Sequence, residues 1–514
     1  MLPMKFKVSE AGGSGNRLFI LAILLTAAIR LYLLRNYYCI SSDGVHYIDA
    51  AKDFFTGNVA SGLSSVYPPG YPILIAALYP IIGDWELSGQ IWSILFGVLL
   101  LLPLYVLFRQ LYGEKAALVA CFLVAVSPFL ARYSVHVRTE SPFLFLSTTA
   151  LLLFHQGIER KSQGRFFLGG WVAGFAYLVR PEAVGFLAIV PAILAFQWLS
   201  KKAPGLLWLC KTSSLVFVGF LLFALPYIVY LSSETGRWGA VTRKAGITLA
   251  ISLMDSGLLD EGPMEGLGNV ESLVFTEFIQ RHPVLYLKKV GMDILPAVGV
   301  FFEALHYTYV PFLLVGLIFA FRERFWDRKD FLLLGFLLFY VFGFTLFYVK
   351  RRYSLQVVPI SLGWTAMGML WCWDWLARTF SAKTARALLF LLALVLAGGT
   401  LPKTLKPVSP EKAYVREAGR YLKERKGTRA LRVLVFDDRI TFYADADPIA
   451  LTELNKQELV QYIRERKADY LAAELRVLTK HYPDLARDPA PYRLSLEKEF
   501  RGSRNDRLLV YRVS

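Results

Sequence analysis

The sequence has 514 residues, of which 55% are hydrophobic and 15% aromatic, and its mean hydropathy is +0.44. Because soluble domains contain about 45–50% apolar residues, this composition excludes an ordinary soluble protein and indicates an integral membrane protein. The formal net charge is +17, but no nucleic-acid-binding motif accompanies it. We therefore exclude nucleic acid as a partner and attribute the basic residues to loops that orient membrane helices.

Apolar stretches long enough to cross ~30 Å of hydrocarbon recur along the chain. We predict eleven membrane-spanning helices, at 18–34, 85–108, 116–131, 142–156, 166–180, 182–200, 206–231, 305–321, 331–349, 354–377 and 387–402. With this count, the basic residues of the short loops fall on one side, which the positive-inside rule assigns to the cytoplasm. Two further apolar stretches, 71–82 and 280–302, are predicted to lie flat against the outer interface.

The composition becomes that of a soluble domain from about residue 403. Helices are predicted at 410–425 and 453–467, and strands at 431–436, 470–473, 493–500 and 508–513. The predicted fold is thus a membrane all-α bundle followed by a small C-terminal α/β domain. The domains are 1–402, with outer loops at 35–84 and 232–304, and 403–514, which lies on the outer side.

Asp43 is the first candidate for a catalytic residue. It lies about eight residues beyond the first predicted span, in a Ser-Ser-Asp-Gly turn before a short helix at 45–55. A carboxylate at the mouth of a membrane cavity can take a proton from an acceptor hydroxyl while a sugar leaves its lipid phosphate. The alternative is that Asp43 only caps the 45–55 helix.

Glu140 is the second acidic candidate, at the outer start of the fourth predicted span. An acidic group at that depth is costly unless it has a partner or a function. Arg138 is a candidate partner, and capping of the helix by Thr139 and Glu140 is the alternative reading.

Cationic side chains also gather on the outer side, against the positive-inside trend. Arg180 and Glu182 flank a proline where two spans meet, and a second group follows the ninth span: Lys350, Arg351, Arg352 and Tyr353. Guanidinium groups make paired hydrogen bonds to phosphate oxygens, so phosphate binding explains this placement. Contact with lipid headgroups is the alternative.

Metal ligands are only weakly indicated. Glu303 and His306 have a spacing of three residues that a metal could use, although a lone pair of this kind is usually structural. His46, Asp49 and Asp53 share a helix face, which fits a solvated surface better than a metal site. The sequence identifies no certain cofactor and leaves a divalent metal ion open.

These motifs, in this order, resemble those of the GT-C glycosyltransferases, in the branch of the protein O-mannosyltransferases and the lipid A aminoarabinose transferase. The resemblance covers about 15–380. It rests on Asp43 followed by Tyr47, on the Tyr-Pro-Pro-Gly-Tyr-Pro turn at 67–72, and on the motifs at 139–143 and 174–182. Arg352 with Tyr353 is a weaker fifth element. Many relatives have a second acidic residue directly after the loop aspartate, where this chain has Gly44.

The resemblance implies an inverting transfer of a hexose or pentose from a polyprenyl-phosphate-linked sugar to a lipid, glycan or protein acceptor. The reaction would occur at the periplasmic face of a bacterial inner membrane. Asp43 would be the catalytic base and Glu140 the second acidic residue. Substrate binding would involve Tyr47, Tyr67, Arg138, Arg180, Glu182, Lys350, Arg351, Arg352 and Tyr353.

Two other classes of protein are weighed against this reading. A transporter or lipid flippase tends to place polar residues at the membrane midplane, on broken helices in repeated halves. Here the charged residues gather at the outer ends of the spans, and no duplicated half is visible. The third class is a non-catalytic scaffold for envelope assembly, in which Asp43, Glu140 and Arg352 would serve no chemistry.

Overall fold

The computed structural model describes residues 13–202, 204–236, 242, 244–258, 275–322, 330–427, 429–451, 455–503 and 505–514. Parts of the predicted outer loop 232–304 and the basic inner loop at 323–329 lie outside these ranges. The chain forms two compact units. The first comprises Met1–Tyr32 and Ala50–Lys406, and the second comprises Leu33–Asp49 and Pro407–Ser514.

The first unit is helical. Its α-helices are α1 (Gly13–Arg35), α2 (Ser42–Phe55, shared with the second unit), α3 (Val59–Ser64), α4 (Gly70–Ile82), α5 (Trp85–Leu99), α6 (Leu101–Tyr112), α7 (Glu114–Val126), α8 (Pro128–Tyr133), α9 (Glu140–Arg160), α10 (Gln163–Val179), α11 (Phe186–Leu199), α12 (Leu206–Thr235), α13 (Lys244–Asp255), α14 (Phe275–Arg281), α15 (Pro283–Leu305), α16 (Val310–Arg322), α17 (Phe331–Gly343), α18 (Arg351–Ser354), α19 (Val358–Thr379) and α20 (Ala382–Thr404). Each of the eleven predicted apolar stretches contains a helix, as expected.

These helices differ in length, and some of them are long enough to cross a membrane. Within the described residues, seven helices are long and apolar enough to cross a membrane. An eighth span is possible if Pro283–Leu305 and Tyr307–Ala320, which meet at an angle of 91°, count as one. Pro283–Leu305, which lies largely in the stretch predicted to lie flat, qualifies only together with Tyr307–Ala320, so its flat orientation stays a prediction. The total of eleven spans stays a prediction.

Close contacts between helices fix the end of α10. A Cβ at Gly174 would lie 2.3 Å from the carbonyl oxygen of Phe220 on α12, and a Cβ at Gly70 would lie 2.6 Å from that of Leu178. Only a residue without a side chain allows backbones to approach this closely in a membrane bundle. The two glycines therefore set the position of the chain that leaves α10 at Arg180.

The second unit is a small α/β fold. Its strands are β1 (Arg432–Val435), β2 (Asp447–Ala450), β3 (Tyr470–Glu474), β4 (Leu494–Arg501) and β5 (Arg507–Val513), and its helices are α21 (Ala413–Glu424), α22 (Asp438–Ala444), α23 (Lys456–Glu465), α24 (Leu475–His481) and α25 (Pro483–Arg487). The sheet order is β2-β1-β3-β5-β4. β1 runs parallel to β2 and β3, whereas β5 runs antiparallel to β3 and β4.

The second unit differs from the sequence prediction in the helices α22, α24 and α25, which were not predicted, and in two further features. Strand β2 was not predicted, because its Asp-Pro-Ile-Ala sequence has the composition of an edge strand and little apolar pattern. The segment 35–49, which the sequence assigned to the outer loop of the membrane domain, packs with the C-terminal residues instead. Its Cys39, Ile40 and Ile48 side chains are fully buried.

Candidate active site

Glu140 is the first residue of α9, and its side chain is buried in the membrane unit. Thr139, which precedes the helix, makes no side-chain capping hydrogen bond. Glu140 Oε1 lies 3.4 Å from Nη1 of Arg180 and 3.6 Å from Nε of Arg352. Arg138, the partner suggested by the sequence, lies instead 5.4 Å from the ring centre of Tyr133. The structure therefore gives Glu140 two arginine partners from distant parts of the chain.

Arg180 stands at the centre of this cluster. It ends α10 because Pro181 follows and disfavours a helical conformation at the preceding residue. Its guanidinium donates a hydrogen bond of 2.7 Å from Nη2 to Glu182 Oε1. The same group lies 5.8 Å from the ring centre of Phe143 and 5.7 Å from that of Tyr353. Both rings are within the range of a cation–π contact with the guanidinium.

Glu182 accepts two further hydrogen bonds. Its main-chain oxygen accepts a hydrogen bond from the hydroxyl of Tyr340, at 2.7 Å. Its carboxylate accepts one from Nε2 of Gln356, at 3.5 Å. The structure thus brings together five of the predicted site residues: Glu140, Arg180, Glu182, Arg352 and Tyr353.

The hydrogen-bonding capacity of this cluster is incompletely used. Both carboxylate oxygens of Glu140, and the Nε and Nη1 atoms of Arg180, have no hydrogen-bond partner within the described residues. A buried polar atom left in this way costs about 1–3 kcal/mol. Buried charges within a membrane protein are costly and are typical of functional sites. The arrangement therefore offers donors and acceptors to a polar ligand.

The other predicted cations have different surroundings. Arg351 pairs with Glu303, and its guanidinium lies 4.3 Å from the ring centre of Phe129. Lys350 is exposed, with Nζ 4.3 Å from the ring centre of Tyr348. The basic run 350–353 is thus divided, because only Arg352 and Tyr353 face the Glu140 cluster.

The two weak metal candidates are not joined. Glu303 is engaged by Arg351, and His306 has its Nδ1 2.8 Å from the hydroxyl of Thr308. Across the described parts of the chain, no three His, Cys, Asp or Glu side chains could together hold a metal ion. These residues do not fit a metal site, and we assign no chemical step to one.

Tyr71 is a residue that the sequence reading quoted in a motif but did not assign to the site. Its buried hydroxyl donates to the carbonyl oxygen of Gly89 at 2.8 Å and accepts from the backbone N–H of Arg138 at 3.1 Å. It therefore ties α4 and α5 to the residues that precede Glu140. Tyr67, at the start of the same motif, is half-buried and bonds through its backbone N–H to Ser65.

Asp43 lies in the second unit, in the first turn of α2. The backbone N–H of Gly44 donates to the hydroxyl of Ser41 at 3.2 Å, so Ser41 rather than Asp43 receives this helix-start bond. The Asp43 side chain is half-buried, and Tyr47, one turn later, is buried. Asp43 thus lies inside the first turn of α2 rather than before the helix, and its catalytic role stays a prediction.

Comparison with known sequences gives two matches. Residues 66–230 match the sequence model of the family described as dolichyl-phosphate-mannose-protein mannosyltransferase. A stretch of 198 residues is 30% identical to an uncharacterized protein of Aquifex aeolicus (strain VF5). That match covers 36% of this chain and 38% of the relative, so the chain aligns with well under half of that protein.

Solved structures share the fold over nearly the whole chain. The oligosaccharyltransferase AglB from Archaeoglobus fulgidus, solved with an inhibitory peptide and a dolichol-phosphate, is 14% identical with a TM-score of 0.61, covering 91% of this chain and 70% of that one. ArnT from Cupriavidus metallidurans, bound to undecaprenyl phosphate, is 13% identical with a TM-score of 0.57, covering 98% of each chain. The chain is therefore a multi-pass membrane protein with the fold of the GT-C glycosyltransferases, and its residues 66–230 carry the sequence pattern of the dolichyl-phosphate-mannose-protein mannosyltransferase family.

Proposed function

We propose that this protein is an inverting glycosyltransferase, which moves a hexose or pentose from a polyprenyl phosphate to a lipid, glycan or protein acceptor. The observation that carries this proposal is the buried pair of Glu140 and Arg180, whose hydrogen-bonding capacity is only partly used, with Arg352 beside Glu140. The fold supports it, because solved proteins of this fold hold dolichol-phosphate or undecaprenyl phosphate.

The chemistry of the donor explains the arginines. When the bond between the anomeric carbon and the phosphate oxygen breaks, the electron pair stays with the lipid phosphate, which gains negative charge. Guanidinium groups stabilise that charge through paired hydrogen bonds. Arg180 has unused donors for this purpose, and Arg352 would supply a second cation. Glu140 would hold the two arginines near each other before the donor binds.

Asp43 would act as the general base. Its carboxylate would accept the proton of the acceptor hydroxyl while the acceptor oxygen attacks the anomeric carbon from the side opposite the phosphate. One displacement of this kind inverts the configuration of the sugar. General-base catalysis of this kind contributes ~10²–10⁴-fold to a rate, which makes Asp43 the residue with the largest expected effect.

The location follows from the predicted topology. The protein would lie in a bacterial inner membrane, with Asp43 and residues 403–514 on the periplasmic side. A reporter enzyme that works only in the periplasm should be active when fused after Ser514. Activity only of a cytoplasmic reporter at that position would overturn this orientation and the count of eleven spans.

The activity itself is tested by comparing cells with and without the protein. Mass spectrometry of envelope lipids, glycans and proteins should find one glycosylated species that disappears with the protein. The purified protein should then transfer sugar from a polyprenyl-phosphate donor to that acceptor. An unchanged envelope, together with movement of labelled lipid across vesicles by the purified protein, would favour a flippase instead.

A further inference from the structure

The segment that carries Asp43 is attached to the C-terminal domain through its main chain. The N–H of Tyr38 donates to the carbonyl oxygen of Val408 at 3.0 Å, and the N–H of Val408 donates to that of Asn36 at 2.9 Å. Tyr37 and Val408 form an isolated parallel bridge. The chain leaving the first helix is therefore held by residues that come almost at the start of the C-terminal domain.

Two side chains of the C-terminal domain extend this attachment towards Asp43. The hydroxyl of Tyr443 accepts a hydrogen bond of 2.6 Å from the N–H of Ile40, three residues before Asp43. Arg416 donates from Nη1 to the carbonyl oxygen of Tyr37 at 3.3 Å. Its guanidinium also lies 5.0 Å from the ring centre of Tyr443. Arg416 thus contacts Tyr443, and the two side chains together make hydrogen bonds to the backbone at residues 37 and 40.

The position of Tyr443 is itself closely defined. A Cβ at Gly419 of α21 would lie 2.5 Å from the Cβ of Tyr443 on α22, so the two helices pack with no space for a side chain there. On the other side of the bond, Cys39 and Ile40, which belong to the same unit, are buried. The N–H of Ile40 therefore meets a hydroxyl that can move little.

We infer that Tyr443 and Arg416 are positioning residues, which set the main-chain path of residues 37–40 and through it the place of the Asp43 carboxylate. This inference rests on the proposed role of Asp43 as the general base. A displacement of about 1 Å in a reacting group can cost ~10²-fold in rate. The C-terminal domain thereby affects the reaction through the position of the Asp43 segment.

The test uses the full-length protein in lipid and the variant Tyr443→Phe, which keeps the ring and removes the acceptor of the Ile40 N–H. We expect kcat to fall ~10–100-fold, with an unchanged KM for the lipid-linked donor. Tyr421→Phe is the matched control, because the hydroxyl of Tyr421 bonds to Glu497 within the same domain, far along the chain from the Asp43 segment. The control should keep the activity of the unaltered protein.

Amide hydrogen exchange separates positioning from a general loss of structure. In Tyr443→Phe, exchange should quicken in peptides covering 38–44 and stay unchanged in those covering the strands of the sheet. A kcat loss with faster exchange throughout 407–514 would mean that Tyr443 only stabilises the domain, and would overturn the inference. So would a kcat equal to that of the unaltered protein.

A comparison with Asp43→Asn distinguishes this inference from the proposed function. If Asp43→Asn is inactive while Tyr443→Phe is fully active and folded, the positioning role is wrong and the base assignment stands. If Asp43→Asn keeps its activity, the base assignment fails, and with it the reason for positioning the segment. Non-additive losses in the double variant Asp43→Asn/Tyr443→Phe would support both the base assignment and the positioning role. If Tyr443 acts only through the Asp43 carboxylate, removing its hydroxyl has no further effect once that carboxylate is gone.

Discussion

Two charge clusters of the first unit differ in how completely the buried charge at the centre of each is hydrogen-bonded, although Asp293 Oδ2, beside Lys289, also has no hydrogen-bond partner within the described residues. Lys289 on α15 is fully buried, lies 3.0 Å from Asp293, and donates to the carbonyl oxygens of Thr345 at 2.7 Å and Phe347 at 2.8 Å. Glu140 is equally buried, yet its carboxylate oxygens accept no hydrogen bond from the described residues.

The difference separates a charge that is bonded within the fold from one that we propose to serve chemistry. Lys289 joins α15 to the segment that follows α17, because its ammonium donates to the carbonyl oxygens of Thr345 and Phe347. The Glu140 cluster leaves atoms of Arg180 and Glu140 for a ligand to satisfy. Substitutions should therefore act on stability in the first cluster, and on activity in the second and at Asp43.

The largest expected effect is at Asp43. Asp43→Asn should lower kcat by ~10²–10⁴-fold, since the amide cannot accept the acceptor's proton. The temperature of unfolding should stay unchanged, because Ser41 receives the bond at the start of α2. The measurement is turnover by purified protein in lipid. The control is Asp49→Asn, which changes an exposed acid on the same helix and should be active. Normal turnover by Asp43→Asn would exclude Asp43 from the mechanism.

The next effect is on stability, at Lys289. Lys289→Met should destabilise the protein by about 3–5 kcal/mol, because the carbonyl oxygens of Thr345 and Phe347 lose their donor and the half-buried Asp293 loses its cation. Thermal unfolding in detergent measures this loss. The adjacent Lys288 is exposed, so Lys288→Met is a matched control and should unfold like the unaltered protein. Equal stability of the two variants would contradict the structural role of Lys289.

Arg352 should show the opposite behaviour to Lys289. Arg352→Ala should raise the KM for the lipid-linked donor ~10–100-fold, which corresponds to the loss of a hydrogen bond to a charged group. Arg352→Lys should be affected less, because the charge is kept while the bidentate geometry is lost. Stability should change little in either variant, since Arg180 still accompanies Glu140. Identical donor KM in all three proteins would assign Arg352 to headgroup contact.

The smallest expected effect is at Asp438, in the C-terminal domain. Burial raises the pKa of its carboxyl, and the nearby Asp437 and Asp49 raise it further while His46 opposes them. A carboxyl whose pKa is higher in the folded state costs stability when ionised, so this cost is present at neutral pH and disappears as the pH falls below the unfolded value. Asp438→Asn should therefore raise the Tm by a few degrees at pH 7. The gain should vanish near pH 3, and a gain independent of pH would contradict this cause.

Parts of this molecule could be read from the sequence because they depend on local pattern. The apolar stretches and four of the five strands follow from residues adjacent in the chain. Glu140, Arg180 and Arg352 were each recognisable, since a charge at the end of an apolar helix is costly. That these three side chains lie together in the fold could not be predicted from the sequence. It depends on helices packing through Gly70 and Gly174, and hydropathy carries no information about such contacts.

The attachment of the Asp43 segment to the C-terminal domain could not be predicted from the sequence for a related reason. Neither Tyr443 nor Arg416 belongs to a motif that the sequence analysis singled out. Their relation to Ile40 and Tyr37 arises only when the start of the chain meets its last domain. A single sequence contains no signal that pairs residues so far apart.

The bridge between Tyr37 and Val408 has a consequence for how the protein is made. The two residues are separated by 371 positions, since 408 minus 37 is 371. At ~5–20 residues per second, Val408 is synthesised roughly 20–75 s after Tyr37. During that interval the N–H of Tyr38 and the N–H of Ile40 lack their acceptors. The acid at position 43 is thus among the first parts of the protein to be synthesised and among the last to reach its final place, so the Asp43 segment of a nascent chain is complete only once the C-terminal domain has folded.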